Sequence, residues 1–407
     1  MPSPQSQFDS PRAWLIVASA FLGAFVTFGV TYTFGVFLKP MAMEFHVTHA
    51  TASVLFSIIV GLMFFLSPFT GELSDRFGPR PVVGVGAVLM TLSLLSTARA
   101  PSFAVLVVTY GIGVGCASAC VYISGIAAVG EWFKKQRDIA LGIAISGIGV
   151  GTLVAAPVSA MLIERYGWRG AFAIFGWSSG LLLLLAAALT ARPPAESGKT
   201  KSAVMHKVRT PAFAFLYISL LFAGIAVFVA FVFIPPYAAD IGVSRVAAAA
   251  VIGYVGASSV VGRLGLNALA PRFGLLNMYV ASFVILLASF ALWLLTHEYA
   301  LLVAFGLVMG VGYGGVAAMS PAVTAEIFGV EGLGELLGIL LTGFAVACIA
   351  GPPLAGHLAD VTHDYKWPVF VGTAAAVLGL VTVLPLKRCR WQAEEEEEQA
   401  TRSAGAA

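Results

Sequence analysis

The chain consists of long apolar stretches separated by short polar segments. A helix needs about 20 apolar residues to cross a hydrocarbon layer about 30 Å thick, and twelve stretches have roughly that length. Membrane β-strands alternate apolar and polar residues, whereas the run 181–185 is leucine throughout. The pattern therefore predicts an all-α membrane protein with twelve transmembrane helices. The predicted spans are 14–38, 51–70, 82–98, 103–130, 138–163, 170–190, 211–237, 246–269, 276–296, 300–325, 335–358 and 367–386.

Composition supports a lipid-exposed surface. Of 407 residues, 59% are hydrophobic and 11% are charged, whereas an ordinary soluble domain is about 25% charged. The 23 basic and 20 acidic residues nearly balance, so no nucleic-acid partner is expected. Because the sequence contains no phosphate-binding loop, no metal-ligand set and no nucleophile with its base, we expect no enzyme, no cofactor and no metal site. Cys116 and Cys120 lie one helical turn apart, but they are interpreted as packing residues because no further ligands accompany them.

Lysine and arginine indicate the orientation, since they concentrate in cytoplasmic loops. With the N-terminus placed in the cytoplasm, 16 of the 23 basic residues fall on the inner side and 6 on the outer side. The remaining one, Arg263, lies inside a span. This bias predicts a multi-pass protein of the cell (plasma or inner) membrane with both termini in the cytoplasm.

A basic polar stretch after the sixth predicted span indicates two six-helix halves. It carries Pro193-Pro194, Ser197-Gly198 and several cations, a composition typical of linkers. The predicted organisation is a cytoplasmic N-terminus 1–13, a first half 14–190, a linker 191–210, a second half 211–386 and a cytoplasmic tail 387–407. The acidic run Glu394–Glu398 predicts that this tail is disordered.

One loop motif occurs at the same place in each half. The sequence Arg-Phe-Gly stands at 76–78, between spans two and three, and again at 272–274, between spans eight and nine. The first copy, with Gly71, Asp75, Arg76 and Arg80, matches the G-x-x-x-D-R-x-G-x-R signature and resembles the major facilitator superfamily. The resemblance implies a cytoplasmic conformational latch, in which Gly71 permits close helix approach and Asp75 meets a helix end or a cation. The alternative is a charged turn that only sets topology.

Two further segments narrow the resemblance. The monocarboxylate transporter family has signatures in its fifth and eleventh spans, and two segments resemble them: residues 132–147 (WFKKQRDIALGIAISG) and 351–356 (GPPLAG). The family's first-span signature is retained only as Ala13-Trp14. This resemblance implies the major facilitator fold and alternating access. It also implies a small monocarboxylate substrate of the lactate or pyruvate type, moved together with a proton.

Arg263 is the main candidate for substrate binding. An arginine at mid-bilayer costs about 2.5–3.5 kcal/mol on insertion scales, so it is expected either to have a compensating partner in the protein or to serve a function. Every acidic residue lies at a span end or in a loop, and the planar guanidinium matches a carboxylate. The resemblance agrees, since this family carries its substrate-binding arginine at this place. The alternative is a structural arginine satisfied by backbone carbonyls or a buried acid.

Other candidates lie on the same or neighbouring spans. Aromatic residues are expected to enclose the substrate, and polar residues one turn on either side of Arg263 are expected to line the same face. The substrate-binding residues predicted alongside Arg263 are Phe28, Tyr32, Tyr122, Tyr313, Ser259 and Asn267. Gly262 and Gly265 thin the helix beside Arg263, either for a ligand or for close packing.

Two departures from the resembled family concern the proton. Animal members have an aspartate four residues before the arginine and a lysine in the first span, where this chain has Ser259 and Tyr32. The proton therefore either travels on the substrate or on water, or uses a peripheral group such as His357 or Glu326. The alternatives to a proton-coupled symporter are an organic-anion exchanger of the oxalate–formate or dicarboxylate type and a non-transporting membrane protein.

Overall fold

The structure, a computed structural model, describes residues 10–133, 136–192, 204–295, 298–329 and 333–387. These ranges consist of helices joined by short connections, and α6 and α7 are joined by a π-helical segment, 107–114. The α-helices are α1 Pro11–Tyr32, α2 Phe34–Glu44, α3 His49–Phe65, α4 Ser67–Phe77, α5 Pro79–Thr97, α6 Phe103–Leu106, α7 Gly115–Trp132, α8 Arg137–Leu189, α9 Val204–Val208, α10 Pro211–Asp240, α11 Arg245–Phe273, α12 Leu275–Leu294, α13 Tyr299–Phe328, α14 Leu333–Thr362 and α15 Lys366–Val383.

The helices confirm the predicted all-α membrane architecture. Within the described ranges ten helices are long and apolar enough to cross a membrane, or eleven when the bent pair α3 and α4 is counted as one span. One of them, α8, has 53 residues and is about 80 Å long at 1.5 Å per residue, too long for a single crossing. Gly167 interrupts it with φ 70° and ψ 170°. The predicted spans 138–163 and 170–190 lie on either side of this break, and all twelve predicted spans fall on helices.

The two copies of the Arg-Phe-Gly motif form the same turn. Gly78 follows α4 with φ 91°, and Gly274 follows α11 with φ 88°. In each, the glycine N–H donates to the carbonyl four residues earlier, at 2.8 Å. Because this left-handed region favours glycine, the repeated residue type has a structural reason in both halves. The turns support the duplicated architecture that the sequence predicts.

Among the described residues, helices of each predicted half pack mainly on one another, and three helix pairs provide most of the contacts between the halves. In the first half α8 packs along α1 and α5, and in the second α13 packs along α11 and α12. Across the halves α8 packs on α11, α3 on α14, and α2 on α10. The predicted boundaries remain predictions, since residues 1–9, 193–203 and 388–407 of the N-terminus, linker and tail lie outside the described residues.

Glycines allow the closest of these helix crossings. A Cβ on Gly151 of α8 would clash with the carbonyl oxygen of Phe25 on α1. Across the halves, Gly149 of α8 and Gly256 of α11 face one another, and a Cβ on either would collide with the other's carbonyl oxygen. These contacts draw α1, α8 and α11 together around the middle of the protein.

The Gly151 crossing generates a prediction about stability. Replacing Gly151 with leucine forces α1 away from α8, because overpacking a tight contact costs about 1–3 kcal/mol. We expect Gly151→Leu to lower the melting temperature of the detergent-solubilised protein by several degrees, measured by fluorescence-detected size exclusion after heating. Gly84→Leu is the matched control, because a Cβ on Gly84 meets no atom within 4 Å. Equal melting temperatures for the two variants would contradict the packing described here.

Candidate functional site

Arg263 lies inside the protein, on α11, with 5% of its surface exposed. It is about 27 Å from the start of α11 and about 15 Å from its end at 1.5 Å per residue. Gly262 packs directly on α13, since a Cβ there would overlap the backbone of Val311. Gly265 has no atom within 4 Å of its Cβ position. The two neighbouring glycines thus serve different purposes: Gly262 allows close packing, whereas Gly265 adjoins open space.

The guanidinium of Arg263 is only partly satisfied. Its Nη1 donates to the backbone carbonyl of Ile145 on α8, at 3.1 Å. Its Nε and Nη2 are buried and have no hydrogen-bond partner among the described residues. These two nitrogens form one edge of the planar group, the edge that matches the two oxygens of a carboxylate. The described residues therefore leave free the donor pair that an organic anion would use.

The four predicted aromatic residues form a continuous wall beside Arg263. The ring of Tyr313 lies 5.6 Å from Arg263 Cζ, and the hydroxyls of Tyr313 and Tyr32 lie 3.4 Å apart. Phe28 packs edge-on against both Tyr32, at 5.0 Å between ring centroids, and Tyr122, at 4.8 Å. Tyr32 and Phe28 come from α1, Tyr122 from α7 and Tyr313 from α13. The wall thus draws on both halves.

Two further contributors to the site have no distinctive mark in the sequence. Phe231 of α10 stacks on Tyr32 at 4.2 Å and meets Tyr313 edge-on at 6.1 Å. It stands in an uninterrupted apolar run, in which no position is distinguished by its residue type. The carbonyl of Ile145 is a backbone group, whose role depends on how α8 and α11 cross.

Ser259 and Asn267 make their hydrogen bonds within α11 rather than to the guanidinium. Ser259 Oγ donates to the carbonyl of Gly256 at 2.7 Å, and Asn267 Nδ2 donates to the carbonyl of Arg263 at 2.9 Å. Ser259 is buried and Asn267 is exposed. Their contribution to substrate binding therefore remains a prediction.

The predicted latch lies at the opposite end of α3 and α4 from His49. Arg76 and Arg80 are exposed there, and a Cβ on Gly71 would meet no atom within 4 Å. The close helix approach predicted at Gly71 is thus not made in this conformation. The side chain of Asp75 lies outside the described part of the structure, and the latch stays a prediction.

A polar cluster joins the halves at the end where α3 begins, here called the His49 end. The carboxylate of Asp360, on α14, accepts hydrogen bonds from the backbone N–H groups of His49 at 3.0 Å and Ala50 at 2.8 Å. Its Oδ1 also lies 2.8 Å from His49 Nδ1, and His49 Nε2 lies 2.9 Å from the hydroxyl of Tyr365. An acid at a helix N-terminus is favoured by the helix dipole. The cluster therefore ties α3 of the first half to α14 of the second.

The phenol of Tyr365 is fixed in its neutral form. Burial raises the pKa of Tyr365 to about 12, and the nearby carboxylates of Asp240 and Asp360 add to the rise. The hydroxyl therefore keeps its proton at every physiological pH, and its contact with His49 Nε2 is a hydrogen bond of a neutral phenol.

Comparison with protein families gives one match over most of the chain. The model of the Major Facilitator Superfamily matches residues 20–297 and 216–405. Since these ranges cover more than half of the chain, the match establishes the superfamily.

Similar curated proteins fall into two groups by coverage. Monocarboxylate transporter 13 of Bos taurus is 34% identical, but over only 40% of this chain and 38% of its own length. The chain thus matches well under half the length of that relative. Monocarboxylate transporter 4 of Rattus norvegicus is 29% identical over 97% of this chain and 88% of its own length. Monocarboxylate transporter 12 of Xenopus laevis is 28% identical over 88% and 85% respectively.

A solved structure shows the same fold. A bacterial homolog of the human lysosomal transporter Spinster, in an inward-facing and occupied conformation, superposes with a TM-score of 0.72. The superposition covers 94% of this chain and 96% of that chain, at 16% sequence identity. At that identity the likeness concerns the fold alone.

The Asp360 cluster generates a prediction about the separation of the halves. Asp360→Asn leaves at least one backbone N–H of α3 without its charged acceptor, a loss on the order of 1–2 kcal/mol, and we expect the His49 end to open more often. Spin labels are attached at the exposed positions 51 and 361 in a variant without native cysteines. Double electron–electron resonance should then show a larger fraction of long distances between the two labels. Asp364→Asn is the control, because Asp364 bonds locally to the backbone N–H of Lys366. An unchanged distance distribution in Asp360→Asn would show that the cluster does not hold the halves together.

Proposed function

The chain belongs to the major facilitator superfamily, and from this premise we propose that it is a secondary transporter of small monocarboxylates of the lactate or pyruvate type. It works by alternating access, moves the substrate with a proton, and has no enzymatic activity. It resides in the cell membrane with both termini in the cytoplasm. The resemblance to relatives whose names include monocarboxylate transporters 4 and 12 supports this substrate class.

The observation that carries the proposal is the unmatched edge of Arg263. A buried cation without an acid partner is unfavourable, and a carboxylate offers two acceptors in the geometry of Nε and Nη2. One bidentate contact suits a single negative charge. The substrate class that fits this edge is therefore a monocarboxylate.

The aromatic wall supports a small organic body on that carboxylate. Tyr32 and Tyr313 place two hydroxyls within 3.4 Å of one another, and Phe28, Tyr122 and Phe231 provide apolar surface. Hydroxyls beside apolar rings suit a short chain with one further polar group, such as a hydroxy or keto acid. We assign Ser259 and Asn267 a secondary place in the same site.

The access route follows from the exposure of α11. Before Arg263 most of α11 is buried, whereas five of the next six residues, 264–269, are exposed. The halves are joined at the His49 end by Asp360. This supports a state open toward the end that carries Arg76 and Arg272, the cytoplasmic end in the predicted orientation, with the latch of Gly71, Asp75, Arg76 and Arg80 disengaged.

Proton coupling is proposed to run through the substrate or a water molecule that moves with it, because Arg263 binds the ionised carboxylate. The described contacts of Arg263 are with a backbone carbonyl and a tyrosine ring, and its hydrogen bonds and ion pairs involve no carboxylate or imidazole. His357 and Glu326 are both exposed. A proton that enters with the carboxylate keeps the loaded complex from carrying an extra negative charge through the membrane.

Substitution of Arg263 tests the substrate site. Loss of two charge-assisted hydrogen bonds costs about 3 kcal/mol or more, so we expect Arg263→Gln to lower kcat/KM for lactate uptake into proteoliposomes at least 100-fold. Arg263→Lys retains the positive charge but not the planar pair of donors. Its kcat/KM should lie between those of the unmodified protein and Arg263→Gln. Arg272→Gln, at the exposed end of the same helix, is the control. Saturable uptake with unchanged kinetics in Arg263→Gln would refute the site.

A second measurement tests the coupling. We expect an acidic exterior to drive lactate accumulation into empty proteoliposomes and a protonophore to abolish it. Glu326→Gln and His357→Gln should keep this dependence, because neither group is needed to carry the proton. If uptake instead requires vesicles preloaded with an anion and ignores the pH gradient, the protein is an exchanger and the symport proposal is wrong.

A further inference from the structure

A cavity lies at the His49 end, away from Arg263. Its volume is about 690 Å³, within the range of small-molecule sites, and its lining comes from α2 and α8 of the first half and from α10 and α11 of the second. It forms where these helices are irregular, beside Pro40, Gly167 and Pro235. The cavity thus spans the interface between the halves.

The charge left over in this cavity is positive. Its lining includes three charged residues, Lys39, Arg245 and Glu44. The carboxylate of Glu44 is already used, since it accepts hydrogen bonds from Trp168 Nε1 and from Arg169 at 2.7 Å. Lys39 and Arg245 have no ion-pair partner among the described residues. Arg245 also stands in the first turn of α11, where the helix dipole adds positive potential.

The remaining wall is largely apolar. Met43, Ile163 and Pro236 contribute side chains without polar hydrogen-bonding groups. One cation belongs to the first half and one to the second, and both side chains are exposed at the cavity. The combination of two cations and an apolar wall is the chemistry that recognises an anion with an apolar body.

We propose that this cavity is a second binding site, for an amphipathic monoanion whose head lies between Lys39 and Arg245 and whose apolar chain lies along the wall. Such a ligand bridges the two halves and stabilises the closed His49 end. If the transport activity proposed above holds, the ligand slows transport without competing at Arg263. An anionic phospholipid and a free fatty carboxylate share this chemistry.

Octanoate is the probe for the free-carboxylate source. The full chain in phosphatidylcholine nanodiscs, carrying Arg263→Gln to remove the central anion site, is titrated calorimetrically with octanoate. The cavity variants are Lys39→Gln with Arg245→Gln, and separately Ala239→Phe, which fills the cavity and keeps both cations. Arg99→Gln with Lys366→Gln is the control, because it removes equal charge at the same end outside the cavity lining. We expect at least tenfold weaker binding in both cavity variants and unchanged binding in the control.

Phosphatidylglycerol is the probe for the lipid source. Native mass spectrometry of the same proteins counts phosphatidylglycerol molecules that remain bound after delipidation, and the lipid source predicts one adduct fewer in both cavity variants than in the control. Loss of either ligand confined to the cavity variants supports the proposal and identifies the source. If octanoate and phosphatidylglycerol bind the cavity variants as they bind the control, the proposal is overturned. Because every protein in the series lacks Arg263, this result does not depend on the substrate site.

Discussion

A guanidinium buried between two helical bundles needs hydrogen-bond acceptors and a compensating charge, and the described residues provide these only in part. The Ile145 carbonyl satisfies one nitrogen of Arg263, and the face of Tyr313 offers a further weak attraction. In the proposed function, binding of an anion relieves the rest of the electrostatic penalty. The partial satisfaction by Ile145 and Tyr313 reduces the gain from binding, which a transporter needs because it must also release its substrate. Ile145 belongs to one half and Arg263 to the other, so any change in their relative position alters this balance directly.

Close backbone packing fixes the positions of the helices that carry Arg263 and its neighbours. The crossing of α11 and α13 is so tight that a Cβ on Gly310 or Gly314 would overlap the backbone of α11. This crossing fixes the position of the α11 backbone from which the Arg263 side chain extends. The aromatic wall is likewise held from several helices, since Tyr32 contacts Phe28, Phe231 and Tyr313. The geometry around Arg263 thus depends on glycines at the helix crossings, which have no side chain that could contact a substrate.

Much of this arrangement could be predicted from the sequence, for identifiable reasons. Spans are long apolar runs, and the repeated Arg-Phe-Gly turns need glycine at positive φ, so both leave local patterns. Arg263 is conspicuous because a cation in an apolar run is costly. The carbonyl of Ile145, the stacking of Phe231 and the bonds of Asp360 to α3 could not be predicted, because each depends on which helices meet and at what height. The break in α8 at Gly167, in contrast, falls between two predicted spans and could be predicted.

The facing pair Gly149 and Gly256 has a mechanical consequence. The two main chains touch there directly, and the side chains of Val260, Ser259 and Thr152 pack around the contact. Rotation of one half about this point keeps the two backbones in contact and shifts only the side chains that surround it. The glycine pair can therefore act as a pivot, while at the ends of the bundle polar contacts such as that of Asp360 must break and re-form.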